Sequence, residues 1–108
     1  MGGYGDDYLN GGYGDDWIGG GSGNNTLIGG KGADTFVLNP NGFATIRDFE
    51  DGIDSIQLEG DWSWSNLEIT SHLGNSTSIK VKVSGQILAV LSGIDHTLID
   101  ASDFVGLR

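Results

Sequence analysis

Large apolar residues recur every nine positions through the first third of the chain, at Leu9, Ile18, Leu27 and Phe36. Each stands at the centre of a triplet (residues 8–10, 17–19, 26–28 and 35–37), and between triplets lie six small or polar residues. Side chains alternate along a strand, so a three-residue strand turns only its middle residue to one face. The pattern predicts four short strands that each send one apolar side chain into a shared core. Tyr8, Trp17, Thr26 and Thr35 then point outward. The full units, residues 2–10, 11–19, 20–28 and 29–37, fit G-G-x-G-x-[D/N]-x-U-x, with U a large apolar residue. A fixed period of this kind signals a solenoid. One unit carries the chain through half a circuit, so units one and three stack on one side and units two and four on the other. Glycines at the first, second and fourth places allow positive φ and close backbone approach in the turns.

Beyond residue 38 the pattern changes, and only seven of the twenty glycines lie there. Residues 55–58, 67–70, 78–83 and 86–91 are rich in apolar and β-branched side chains and read as strands. Ile79, Val81 and Val83 alternate with Lys80 and Lys82, the mark of one buried and one wet face. Ser84-Gly85 reads as a two-residue hairpin loop and residues 73–76 as another turn. The run 87–91 is apolar on both faces, which predicts a central strand, and residues 98–105 read as a last strand with a short helical turn. The end of a roll exposes unpaired edges and an open core, and terminal repeats need a cap. The expected organisation is all-β. A parallel β-roll spans residues 1–38, a last roll turn and transition segment 39–59, and a β-rich C-terminal cap 60–108.

Length and charge sharpen this picture. A chain of 108 residues makes one domain or two tightly joined halves, and folding at that size buries somewhat over ~60% of the unfolded surface. Such domains often need a staple; with no cysteine in the sequence, metal ions are the obvious candidate. The net charge is −10, from fifteen acidic and five basic residues, which excludes nucleic acid and anionic membranes as natural partners and favours cations. At 37% hydrophobic content in patterned runs, wholesale disorder is excluded. No apolar window approaches the ~18 residues of a membrane span. No cleavable secretion signal opens the chain; the in-phase repeat directly after Met1 suggests a fragment of a longer protein.

Stacking at a strand spacing of about 4.8 Å sets Asp7 over Asn25 and Asp16 over Asp34. Carboxylates so close repel unless a cation lies between them. Ca²⁺ suits the gap, because it accepts about six to eight oxygens from carboxylates and carbonyls in flexible geometry.

Four consecutive copies of this nonapeptide resemble the repeats-in-toxin family of bacterial haemolysins, serralysin-like proteases, lipases and large cyanobacterial proteins. The resemblance implies a right-handed parallel β-roll, extracellular calcium binding, calcium-induced folding and type I secretion. It implies side-chain ligands at Asp7, Asp16 and Asp34, with Asn25 as a weaker, uncharged departure. Turn carbonyls would complete the set, at Gly3, Gly5, Gly12, Gly14, Gly21, Gly23, Gly30 and Gly32. Residues 45–58 resemble the family's segment after the last repeat, I-x-D-F-x-x-G-x-D-x-I-x-L, which implies that Asp48 and Asp54 complete sites on the turns of repeats three and four. Asp51 reads as a surface acid. The pairings amount to about two to four Ca²⁺ ions. Asp103-Phe104-Val105 bears a faint likeness to the family's uncleaved export signal.

No catalytic constellation is legible. His72 and His96 lack metal-ligand spacing, H-E-x-x-H and G-x-S-x-G are absent, and no lysine-bearing helix follows the glycine loops. Asp6-Asp7 and Asp15-Asp16 repeat too regularly for a glycosidase pair. The expected protein is a secreted, extracellular, monomeric calcium-binding module and no enzyme, attached to an upstream domain or further repeats. The alternative is an adhesive or glycan-binding module using Tyr4, Tyr8, Tyr13, Trp17 or the Trp62/Trp64 pair, although Trp62 and Trp64 fit better as packing residues.

Overall fold

The computed structural model describes residues 6–50, 52–59, 63–72, 75–94 and 96–105. The four repeats supply β1 (Tyr8–Asn10), β2 (Trp17–Gly19), β3 (Gly23–Ile28) and β4 (Thr35–Leu38), and one further circuit supplies β5 (Gly42–Ile46) and β6 (Ser55–Leu58). After a 3₁₀ turn at Trp64–Asn66 come β7 (Leu67–His72), β8 (Ser76–Val81) and β9 (Ile87–Leu91). Two more 3₁₀ turns, His96–Leu98 and Ala101–Asp103, lead into β10 (Phe104–Val105). The strands form two sheets, ordered β1-β3-β5-β9-β8-β7 and β10-β6-β4-β2. Odd and even repeats thus occupy opposite walls of a parallel β-roll, as the half-circuit period requires.

Register converts the nine-residue period into a core. On one wall Leu9, Leu27, Ile46 and Leu91 are successive partners. On the other, Ile18, Phe36, Ile56 and Phe104 are. Ile18, Leu27, Phe36, Ile46, Ile56 and Leu91 are fully buried, and Leu9 packs against the cluster from the first turn. Phe49 adds an aromatic contact to Phe36, with ring centroids 6.2 Å apart. Side chains alternate along each strand, so the three-residue strands β1 and β2 turn one inward, whereas β4 and β6, one residue longer, bury two each, Phe36 with Leu38 and Ile56 with Leu58.

The C-terminal strands continue both walls. β9 pairs parallel with β5 and antiparallel with β8, so it joins the roll to the β7–β8–β9 meander and is buried on both faces, as its unbroken apolar run anticipates. β10 adds two residues to β6. Trp64 meets Phe104 edge-on at 5.4 Å, a packing role; Trp62 lies outside the described residues.

The β8–β9 connection differs from its expected form. Val81 N–H donates to Gln86 O and Gly85 N–H to Val81 O, both at 2.8 Å, which closes a four-residue loop, 82–85, instead of a two-residue one. A register shift at Ile79/Lys80 sets Lys80 opposite Ile87 and brings the strand to an end at Val81. Val83 therefore leaves the alternation and is 91% exposed. β3 also starts early, at Gly23. The chain beneath it runs straight, and Gly23, Asn24 and Asn25 pair with Gly42, Phe43 and Ala44.

Candidate metal centre

The sixth residue of each repeat sits at the corner where a turn enters a strand. Asp7, Asn25 and Ala44 share the odd corner: Asp7 precedes β1, whereas Asn25 and Ala44 lie within β3 and β5. Asp16, Asp34 and Asp54 share the even corner, before β2, β4 and β6. One hydrogen bond recurs down each stack. Asp7 N–H donates to Asn25 Oδ1 at 2.9 Å, Asp16 N–H to Asp34 Oδ1 at 2.9 Å, and Asp34 N–H to Asp54 Oδ1 at 2.8 Å. Each side chain thus satisfies the turn above with one oxygen and leaves its second branch atom pointing into its own turn.

Those second atoms set the chemistry. Oδ2 of Asp7, Asp16 and Asp34 is buried and has no hydrogen-bond partner among the described residues. A buried carboxylate oxygen without a donor carries a desolvation cost of about 1–3 kcal/mol or more. Asp34 is 1% exposed. Burial first, then the charges of Asp54, Asp16 and Asp48, push its pKa above the usual carboxylate value, against the lowering effect of the Asp16 N–H. A cation at Oδ2 would reverse both penalties.

The turns offer the remaining oxygens. The glycines at the second and fourth places of repeats two, three and four (Gly12, Gly14, Gly21, Gly23, Gly30 and Gly32) all have positive φ, from 76 to 104°. The turns also stack without side-chain room: a Cβ on Gly30 would run into Gly12 O, and one on Gly32 into Gly14 O. Among the described residues no three His, Cys, Asp or Glu side chains converge on one point, so an ion here would draw on backbone carbonyls as well as carboxylate. Orphaned carboxylate oxygens beside carbonyl-rich turns fit a hard, oxygen-seeking cation such as Ca²⁺. Gly3 and Gly5 lie outside the described residues.

Asp48 and Asp54 both lie on the turn between β5 and β6, and their hydrogen bonds to the repeats run to repeat four, from Gly29 and Gly30 to Asp48 and from Asp34 to Asp54. Asp48 accepts from Gly29 and Gly30 N–H, each at 2.8 Å, and Asp54 Oδ2 accepts from Glu50 N–H at 2.9 Å. β5 carries the chain past repeat three with Gly42–Ala44, which bears no side-chain oxygen, and Asp48 arrives only at the next corner. Asp51 lies outside the described residues. The repeat reading assigned the fifth-place acids no role, yet Asp6 Oδ1 accepts Asn24 N–H at 2.9 Å and Asp15 Oδ1 accepts Ala33 N–H at 2.8 Å. The fifth-place acids of repeats one and two thus hold the turn below, and the sixth-place side chains of repeats three and four hold the turn above. The Asp-Asp doublets in repeats one and two were the available signal.

Comparison with known proteins agrees with this geometry. The family model described as RTX calcium-binding nonapeptide repeat (4 copies) matches residues 1–36. Residues 1–36 are RTX calcium-binding nonapeptide repeats. Among solved structures, the AlgE6R3 subunit from the Azotobacter vinelandii mannuronan C5-epimerase, a solution structure, is similar at TM-score 0.62 and 23% identity. That match covers 97% of this chain and 80% of the other, and it extends the likeness in fold through the RTX repeats and the C-terminal strands together. No curated protein matches. No helix among the described residues is long and apolar enough to cross a membrane.

Proposed function

We propose that this RTX segment is a calcium-triggered folding module, the C-terminal scaffold and export region of a secreted bacterial protein. The observation that carries the reading is the set of partnerless oxygens at Asp7, Asp16 and Asp34. Without an ion they oppose closure of the turns; with one they become ligands. Binding free energy then becomes folding free energy. At low cytoplasmic calcium the chain stays open for export, and at millimolar calcium outside the cell it closes. Asp16, Asp34 and Asp54 are the side chains placed to hold ions on the even corner, with Asp48 bracing the turn and carbonyls of Gly12, Gly14, Gly30 and Gly32 completing the shell. The module takes about two to four ions, carries no catalytic centre of its own and acts as a monomer. Residues 60–108 cap the roll, since β9 and β10 cover the edges of β5 and β6. The likeness to a subunit of an epimerase supports attachment to a larger parent protein.

Circular dichroism during a calcium titration, with magnesium as control, tests this. A coil-to-β transition near millimolar Ca²⁺, absent with Mg²⁺ and weakened in Asp16→Ala/Asp34→Ala, is expected. A chain fully folded in chelator and indifferent to calcium would overturn it. A second reading, adhesion, draws on the exposure of Tyr8, Tyr13 and Trp17 (65, 83 and 62%). Glycan or cell-surface binding abolished by Tyr13→Ala/Trp17→Ala would favour it.

A further inference from the structure

Repeat three departs from its neighbours at the one atom where a cation would sit. The bond from Asp7 N–H fixes Oδ1 of Asn25, because an N–H donates only to the oxygen of an amide. The other branch atom is therefore Nδ2, and it occupies the place that Oδ2 takes in Asp16 and Asp34. The first glycines of repeats two, three and four show the equivalence. A Cβ on Gly11 would lie 2.7 Å from Asp16 Oδ2, one on Gly29 2.5 Å from Asp34 Oδ2, and one on Gly20 would run into Asn25 Nδ2.

The partners at that place are opposite in kind. Oδ2 of Asp16 and of Asp34 has none among the described residues. Nδ2 of Asn25 faces three carbonyls, Gly21 O at 3.2 Å and Ser22 O and Gly23 O at 3.5 Å each. These belong to the second, third and fourth places of its own turn, the oxygens an ion in that turn would need. An amide presents two polar hydrogens to them and needs no counter-charge. The surroundings match a site without an ion: Asn25 is 3% exposed, and its partner below is Ala44, where the even corner has Asp54 below Asp34.

We propose that the Asn25 side-chain amide stands in for Ca²⁺ in the third repeat, so that this turn closes without an ion. Calcium uptake is confined to repeats with aspartate at the sixth place, and the third-repeat turn offers a preformed edge against which the neighbouring turns close. The inference rests on the calcium reading of the other turns. Its test is a count of bound Ca²⁺ by equilibrium dialysis on the full chain, wild type against Asn25→Asp, together with hydrogen exchange of the Asn25 side-chain amide in the calcium-loaded wild type. One additional ion in Asn25→Asp and slow exchange of the wild-type amide are expected. An unchanged count with tighter binding would show that Asn25 already ligates through oxygen and would overturn the inference, as would an amide that exchanges at the rate of a solvated side chain. The wild-type measurement decides the matter even where the variant fails to fold. Absence of calcium binding in both proteins would overturn it from the other side, by removing the reading on which it rests.

Discussion

Replacing Asp34 by asparagine should change stability in opposite directions with and without calcium. The substitution keeps Oδ1 for the Asp16 N–H, now at 2.9 Å, and exchanges the partnerless Oδ2 for an amide that can face the carbonyls of its own turn. In chelator it removes a buried charge whose neighbours are Asp16, Asp48 and Asp54. Two unit charges at the strand spacing of about 4.8 Å interact by about 3 kcal/mol at an effective dielectric of about 20. Only part of that is recovered, because the neighbours share hydrogen bonds and water, so a gain of about 1–3 kcal/mol is the reasonable scale. With calcium the sign reverses. One lost site removes about 4.1 kcal/mol at a concentration about one thousand times its dissociation constant, which outweighs the gain in chelator and leaves the variant about 1–3 kcal/mol less stable. Titration with trimethylamine oxide in chelator, which drives burial without a metal, should show Asp34→Asn folding at lower osmolyte than wild type. Urea unfolding in saturating calcium should show it the less stable. A variant destabilised equally in both conditions would refute the reasoning, since Asp34 would then act by packing and hydrogen bonding alone.

Gly30→Ala should cost about 1–3 kcal/mol from its positive φ of 82° and also weaken calcium binding, because the new Cβ meets Gly12 O; a thermal melt and a calcium titration read the two effects. Phe36→Ala removes a fully buried ring stacked between Ile18 and Ile56 and should cost about 3–5 kcal/mol, measured by urea unfolding at fixed calcium. Acidification should act on Asp34 with a definite sign. Its folded pKa lies above the ordinary value, so in chelator the folded state gains stability as pH falls through that raised pKa. Calcium affinity falls over the same interval, because the protonated group no longer ligates. Osmolyte-induced folding in chelator and calcium binding, each followed from neutral pH toward pH 4, should move in opposite directions.

The legible and illegible parts of this molecule divide by the range of the interactions involved. The roll was legible because its rule is local. A nine-residue period places Leu9 against Leu27 and Ile18 against Phe36 with no information beyond the repeat. Strand 87–91 was legible as central because both its faces are apolar, but its choice of partners was not. Its parallel pairing with β5 depends on where the roll ends, and its antiparallel pairing with β8 on a register shift at Ile79/Lys80. The same division runs through the site. Asp7, Asp16 and Asp34 stand where the repeat puts them, whereas Asp48 belongs to a segment outside the period, and its hold on the first two residues of repeat four follows from no repeat rule. Asn25 is the most instructive case. Read along the chain, asparagine for aspartate is a loss of charge and hence a weaker ligand. Only its position beneath Asp7, which engages the oxygen, shows that the nitrogen must face the carbonyls. A substitution that reads as a damaged ion site is, in three dimensions, a turn closed by its own side chain.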